Sequence, residues 1–203
     1  VAAGSRHRTL GVEREEELVG SGVSYCSLCD GAFYAGKDVA VIGGGNSALQ
    51  DAILLAGICR KVTVVQNLSE LTGEACLVKT AQAFENVEFV YDSVVAELEA
   101  DSALKAIIVE NVQTKIRTRI PVEGVFVAIG QVPENEPFDS VCFVGENGYI
   151  ESDESCMTCT PGIFAAGDCR TKRVRQIVTA VADGSVAALA ACAWIDRKDK
   201  EEK

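Results

Sequence analysis

The stretch from Asp38 to Gln66 restricts the fold more than any other. Asp38–Gly43 (DVAVIG) is a run of β-branched and apolar residues without polar alternation, as in a strand buried on both faces. It ends in three glycines, Gly43, Gly44 and Gly45. The next segment, Asn46–Gly57, places Ala48, Ile53, Leu55 and Ala56 at helical spacing and stops at glycine. Lys61–Gln66 (KVTVVQ) reads as a second buried strand. Strand, glycine turn, helix and strand form a βαβ unit, so the chain is expected to be α/β with a parallel sheet.

The turn has the pattern GxGxxA, Gly43-Gly44-Gly45-Asn46-Ser47-Ala48. Gly43 permits the tight turn, Gly45 lets a pyrophosphate approach the backbone, and Ala48 allows close helix–strand packing. Free N–H groups from Asn46 and Ser47 onward can receive phosphates. The plain alternative is a glycine turn with a structural role only. About 20 residues on, an acid would mark NAD and an arginine NADP. The chain has Gln66-Asn67-Leu68-Ser69-Glu70 there: no arginine, and an acid that comes late.

Glu74–Phe84 fits a helix and Val87–Tyr91 a third strand. Ser93–Glu99, Leu104–Asn111 and Thr114–Pro121 are strand-like runs with short polar breaks, as in an antiparallel meander. Val125–Gly130 (VFVAIG) returns to a buried strand, and Gln131–Pro137, with two of the four prolines, reads as a linker or domain crossing. Gly20–Gly36 looks like loop. Near the end, Ile163–Gly167 (IFAAG) reads as a buried strand that meets Asp168, and an Ala-rich helix is expected from about Gln176 to Ile195.

Nine cysteines and one histidine narrow the chemistry. Cysteine at about 4% falls short of the roughly 8–10% of a disulfide scaffold, so the spacings are read first as catalytic, metal-binding or buried. With His7 alone, a multi-histidine metal site is impossible and a Cys–His hydrolase would depend on that one residue. Cys26-Ser-Leu-Cys29-Asp30 can close a small disulfide ring and exchange electrons in pairs. If Cys26 precedes a helical turn, the dipole favours its thiolate. Asp30 is then the nearest group able to carry a proton to a departing thiolate. The competing reading is half of a zinc site, but paired knuckles usually lie about 15–20 residues apart. The only other CxxC, Cys156-Met-Thr-Cys159, lies far beyond, in a loop before Pro161-Gly162, and no metal site is expected.

A third motif is Gly162-Ile-Phe-Ala-Ala-Gly167-Asp168 with Arg175-Gln176-Ile177 after it. A strand would deliver Asp168 to its C-terminal end, where it can bind a ligand hydroxyl or cap a helix. The net charge of −11 argues against nucleic acid, which wants a basic face. Hydrophobic residues at 48% and charged residues at 24% are the balance of a globular protein. The longest apolar run, Val186 to Ile195, is half of the roughly 20 residues a bilayer span needs, and no signal peptide is visible. No membrane partner is expected.

In order, CSLCDG, GGGNSA, GVFVAIG, PGIFAAGD and RQI resemble the low-molecular-weight bacterial thioredoxin reductases, from residue 1 to about 195. The resemblance implies a Rossmann-like pyridine-nucleotide domain over 10–129 that carries the CxxC and the meander. It would be inserted into an FAD domain whose second half is 130–203, with 1–9 as remnant and crossing. The family's first GxGxxG is absent, so an incomplete FAD domain is expected. Carried over, Cys29 faces the flavin, Cys26 attacks the disulfide of thioredoxin, and Asp30 is the acid–base. Gly167 and Asp168 hold the ribityl and phosphate region of FAD, and Arg175, Gln176 and Ile177 line the isoalloxazine. A domain rotation, a homodimer and a cytoplasmic location are implied as well. The family's arginine-rich NADPH grip is replaced by Gln66-Asn67-Leu68, as in relatives that take electrons from reduced ferredoxin. Two rival readings are a non-catalytic nucleotide-binding fragment and a flavoprotein that reduces another protein disulfide, such as a peroxiredoxin.

Overall fold

The structure is a computed structural model that describes residues 1–201, apart from the side chains of Asp199 and Glu201. The strands in chain order are β1 (Ser5–His7), β2 (Val23–Ser24), β3 (Asp38–Ile42), β4 (Lys61–Val65), β5 (Val87–Val90), β6 (Ser93–Ala100), β7 (Leu104–Asn111), β8 (Arg117–Pro121), β9 (Gly124–Val127) and β10 (Gln131–Pro133). The α-helices are α1 (Ser27–Asp30), α2 (Asn46–Ala56), α3 (Ala75–Gln82) and α4 (Ile177–Glu201). They form two compact units, one over His7–Gly130 and one of Val1–Arg6 with the chain from Gln131 onward.

The first unit is built on a parallel sheet of order β2-β9-β3-β4-β5. Side chains on a strand alternate between faces, and the valine-rich strands divide their burial accordingly. Val39 and Val41 join Val62, Val64 and Phe126 beneath Ala48, Ala52 and Leu55 of α2. Ala40 and Ile42 join Val65, Val125 and Val127 on the other side, against Val95, Leu98, Leu104, Ile107 and Val109 of the meander. The meander is antiparallel, β6-β7-β8, with register shifts between Val95 and Glu97 and between Glu99 and Ala100. This α/β, Rossmann-like architecture with an antiparallel meander agrees with the expectation. The Gly20–Gly36 stretch, read as loop, contains β2 and α1.

In the second unit Ile163–Gly167 is not a strand. Phe164 makes one bridge to Met157, the Ala165 N–H bonds to the Cys156 carbonyl, and the Ala166 N–H bonds to the Val1 carbonyl. Its partners change from residue to residue, so no continuous ladder forms. The Gly167–Cys169 segment is a 3-10 turn. A small core of Cys142, Ile150 and Ala165, with Phe138, Val144 and Ile163 packed on it, sits beside that turn. By length and composition, Ile177–Lys198 of α4 passes as a membrane span, with mean hydropathy 1.6. Run length does not register it, because Asp183 interrupts the apolar stretch. Only 6% of that window is buried, and Asp183 within it accepts Arg170 and Lys172 of the same unit.

Gly43 closes β3 with a φ of +128°, and a Cβ there would lie 2.5 Å from the Ala128 carbonyl oxygen. Strained backbone and a clash with another main chain coincide. Gly43→Ala is therefore expected to cost about 2 kcal/mol or more. Urea unfolding checks this; an unchanged midpoint would contradict the packing described for the turn.

Candidate functional site

Cys26 and Cys29 are joined in a disulfide with their Cα atoms 5.3 Å apart. Cys26 is extended and caps α1, its Sγ accepting the Cys29 N–H at 3.1 Å. One backbone N–H thus points at the sulfur that would carry charge after reduction, which favours its thiolate. The turn is fixed from behind by Ser24 at the end of β2. Its hydroxyl donates to Asp30 Oδ2 at 2.7 Å and accepts the Cys26 N–H at 3.1 Å. Asp30 is thereby tied through one buried hydroxyl to the backbone of the first cysteine, a link that spacing alone does not reveal. Upstream, buried Glu15 accepts the Leu10 and Gly11 N–H groups and the Tyr25 hydroxyl, and Tyr25 stacks on His7 at 5.2 Å. Burial, then Glu15, pushes the Tyr25 hydroxyl far above its ordinary range, so it stays a donor. Cys29 is exposed, and Leu28 and Phe33 beside it are 70% and 75% exposed.

Gly43, Gly45, Asn46, Ser47 and Ala48 lie at the junction of β3 and α2, with Ala48 fully buried. The loop after β4 folds over this turn. The Thr72 and Gly73 N–H groups both bond to the Gly44 carbonyl. Gln66 is buried against Gly44, with Nε2 on the Glu70 carbonyl. Asn46 is taken twice by Glu74: its Nδ2 donates to Oε1 at 2.9 Å and its Oδ1 accepts the Glu74 N–H at 2.7 Å. A dinucleotide phosphate would meet a carboxylate at the start of α2, in a loop, Gln66 to Glu74, that has no lysine or arginine. This loop offers no basic side chain to a 2′-phosphate.

In the second unit, Asp168 lies in the 3-10 turn and makes no capping bond. Its Oδ1 is buried without a hydrogen-bond partner. A buried acceptor left unpaired is costly, and a hydroxyl donor on a ligand would satisfy it. These residues fit the ribityl or ribose hydroxyls of FAD. Arg175 donates to the Asp168 carbonyl and lies 3.9 Å over the Tyr149 ring. Gln176 precedes α4 and Ile177 opens it, 83% exposed.

Sequence reasoning missed what holds this turn. Asp183 of α4 accepts Arg170 Nε at 2.8 Å and Nη2 at 2.9 Å, Lys172 Nζ at 2.8 Å, and the Gly167 N–H at 3.0 Å. The Arg170 guanidinium first, then Lys172 and the Gly167 N–H, hold its carboxyl well below the usual range despite burial. The signal available was an aspartate inside an otherwise apolar helix. Of the second CxxC, Cys156 is buried, Cys159 is exposed, and both are free thiols. Among the described residues, no group of three or more His, Cys, Asp or Glu is arranged to hold a metal ion.

The profile of the pyridine nucleotide-disulphide oxidoreductase family matches residues 1–184. The "34.2 kDa protein in rubredoxin operon" of Clostridium pasteurianum is 42% identical over 98% of this chain and 64% of its own length. The thioredoxin reductase of Bacillus subtilis is 41% identical over 93% of this chain and 60% of its own. The crystal structure of thioredoxin reductase from Streptococcus pyogenes superposes with a TM-score of 0.88 at 38% identity, covering 97% of this chain and 64% of that one. The chain thus spans less than two thirds of these relatives.

Asp183→Ala would leave two buried cations without their anion, a loss of about 3–5 kcal/mol. Because the folded carboxyl is held below its ordinary 3.8, the contribution is fully present above that pH and is lost as pH falls below it. The hydrogen-exchange protection factor at Gly167, the rate relative to an unstructured amide at the same pH, should be high from pH 7 to 4 and fall below. In the variant it should be low throughout. Equal protection in both proteins would contradict the clamp.

Proposed function

We propose that this chain, which belongs to the pyridine nucleotide-disulphide oxidoreductase family, is the disulfide-bearing part of a flavin-dependent thiol–disulfide oxidoreductase of the thioredoxin-reductase type. The observation that carries the reading is the Cys26–Cys29 disulfide capping α1, on an accessible turn with Asp30 linked to it through Ser24. The unit His7–Gly130 corresponds to a pyridine-nucleotide-type domain, and the unit from Gln131 onward to the second half of an FAD domain.

Bound FAD would supply the electron pair that reduces the disulfide. Gly167 and Asp168 would bind its sugar and phosphate region, and Arg175, Gln176 and Ile177 would border its ring. Cys26, freed as a thiolate at the helix N-terminus, attacks one sulfur of a thioredoxin disulfide, breaking that bond, expelling the other sulfur as a thiolate and forming a mixed disulfide. Cys29 then attacks the Cys26 sulfur, re-forming the internal bond and releasing the partner's second sulfur as a thiolate. Asp30 delivers the proton to that leaving group. The exposed side chains of Leu28 and Phe33 favour a protein over a small disulfide as partner. The acidic loop over Gly44 favours an electron donor other than NADPH, and reduced ferredoxin is the donor we assign. A homodimeric cytoplasmic enzyme completes the reading.

The test uses the full-length gene product. Reduced ferredoxin should bleach the flavin rapidly, whereas NADPH at micromolar concentration should not. Cys26→Ser or Cys29→Ser should lower thioredoxin reduction by a factor of about 10³ or more while leaving flavin bleaching intact. Rapid bleaching by micromolar NADPH would overturn the assignment of the donor, and thioredoxin reduction by the double serine variant would overturn the whole.

A further inference from the structure

Asp30 is not the only carboxylate attached to the redox turn. The turn lies on α2, so closely that a Cβ on Gly31 would come within 3.2 Å of the Leu55 side chain. Ser27, between the two cysteines, is 4% exposed, and its hydroxyl donates a short hydrogen bond to Asp51 Oδ1 of α2. Asp51 is one helical turn before Leu55 on the face that meets the redox turn. The mechanism above uses neither residue.

We propose that Asp51 is a positioning residue for the Cys26–Cys29 couple. Through Ser27 it holds the turn between the sulfurs on α2, and it sets a half-buried carboxylate one hydrogen bond from the residue that separates the two cysteines. The inference rests on that couple being the redox centre.

Reduction of the disulfide takes two electrons and two protons and yields two thiols; loss of one thiol proton yields the nucleophile. The N–H groups of α1 favour that loss, and an ionised Asp51 opposes it. The two influences on the thiol are opposed. The charged and titratable groups on the elements packed against α2 are few. Asp30 is bonded to Ser24, Asp38 of β3 is paired with Arg60, Lys61 of β4 with Glu88, and Cys76 of α3 with Glu74. Lys79 on α3 is the remaining charge, and the Tyr34 hydroxyl and Cys59 thiol share the core of Ala52 and Leu55. Burial, the larger influence, raises the Asp51 carboxyl and the Ser27 hydroxyl lowers it.

The test reduces the chain with dithiothreitol, removes the reductant, and follows iodoacetamide alkylation of Cys26 and Cys29 by peptide mass spectrometry from pH 4 to 10. Asp51→Asn should shift the wild-type profile to lower pH, with alkylation at pH 7 faster by about three- to tenfold. Ser27→Ala, which keeps the carboxylate but removes its donor, should shift the profile the same way by less. Wild-type profiles in both variants would overturn the inference. So would a rate changed by the same factor at every pH, which is the mark of a structural effect. If neither cysteine reduces or alkylates in the wild type, the redox pair itself is wrong, an outcome read separately from the variants.

Discussion

Everything that positions chemistry in the first unit depends on the burial of β3 between two layers. Its residues pair with β4 on one side and β9 on the other, Val41 standing opposite Val64 and Phe126. Because side chains alternate, one set grips α2 and the other grips the meander. Burial of that kind is roughly proportional to apolar area, and a shift of one residue would exchange the faces and expose both sets. The register is therefore strongly specified. With it are specified the glycine turn at the end of β3 and the direction of α2.

The redox turn inherits its place from the same helix. Its disulfide joins the cap and the third residue of a four-residue helix that could not be stable alone, since a single turn closes too few hydrogen bonds to offset its entropy. Ser24 at the end of β2 and the apolar side chains of α2 on either side make it a fixed object. A fixed geometry matters here because thiol exchange needs an aligned sulfur and a proton donor already in position. In the second unit the same need is met differently. Short bridges hold the chain, and one buried aspartate fastens the Gly167–Cys169 turn to α4.

Legibility from sequence followed how local the determining interaction is. β3, α2 and β4 were readable because an unbroken apolar run, a glycine triplet and helical spacing are local signals. The meander was readable for the same reason. Ile163–Gly167 misled because β-branched and small apolar residues also suit an extended segment whose hydrogen bonds go to several different strands' worth of chain. β2 was hidden by its length of two residues among glycines. Asp183 with Arg170 and Lys172, and Glu74 with Asn46, were invisible because each pairing is tertiary. The Gln66 region was read from sequence as a missing cation; the structure adds a loop folded over the turn and an acid at the start of the helix.

A disulfide that works as an electron carrier differs from a structural staple in how readily it is reduced. Equilibrating the protein in dithiothreitol buffers of graded ratio, then quantifying Cys26 and Cys29 as thiols or disulfide, measures this without any cofactor. The account predicts a single two-electron couple close to the thioredoxin potential of about −270 mV, able to exchange with such a partner in either direction. A bond that persisted well below about −300 mV, as structural disulfides do, would contradict it.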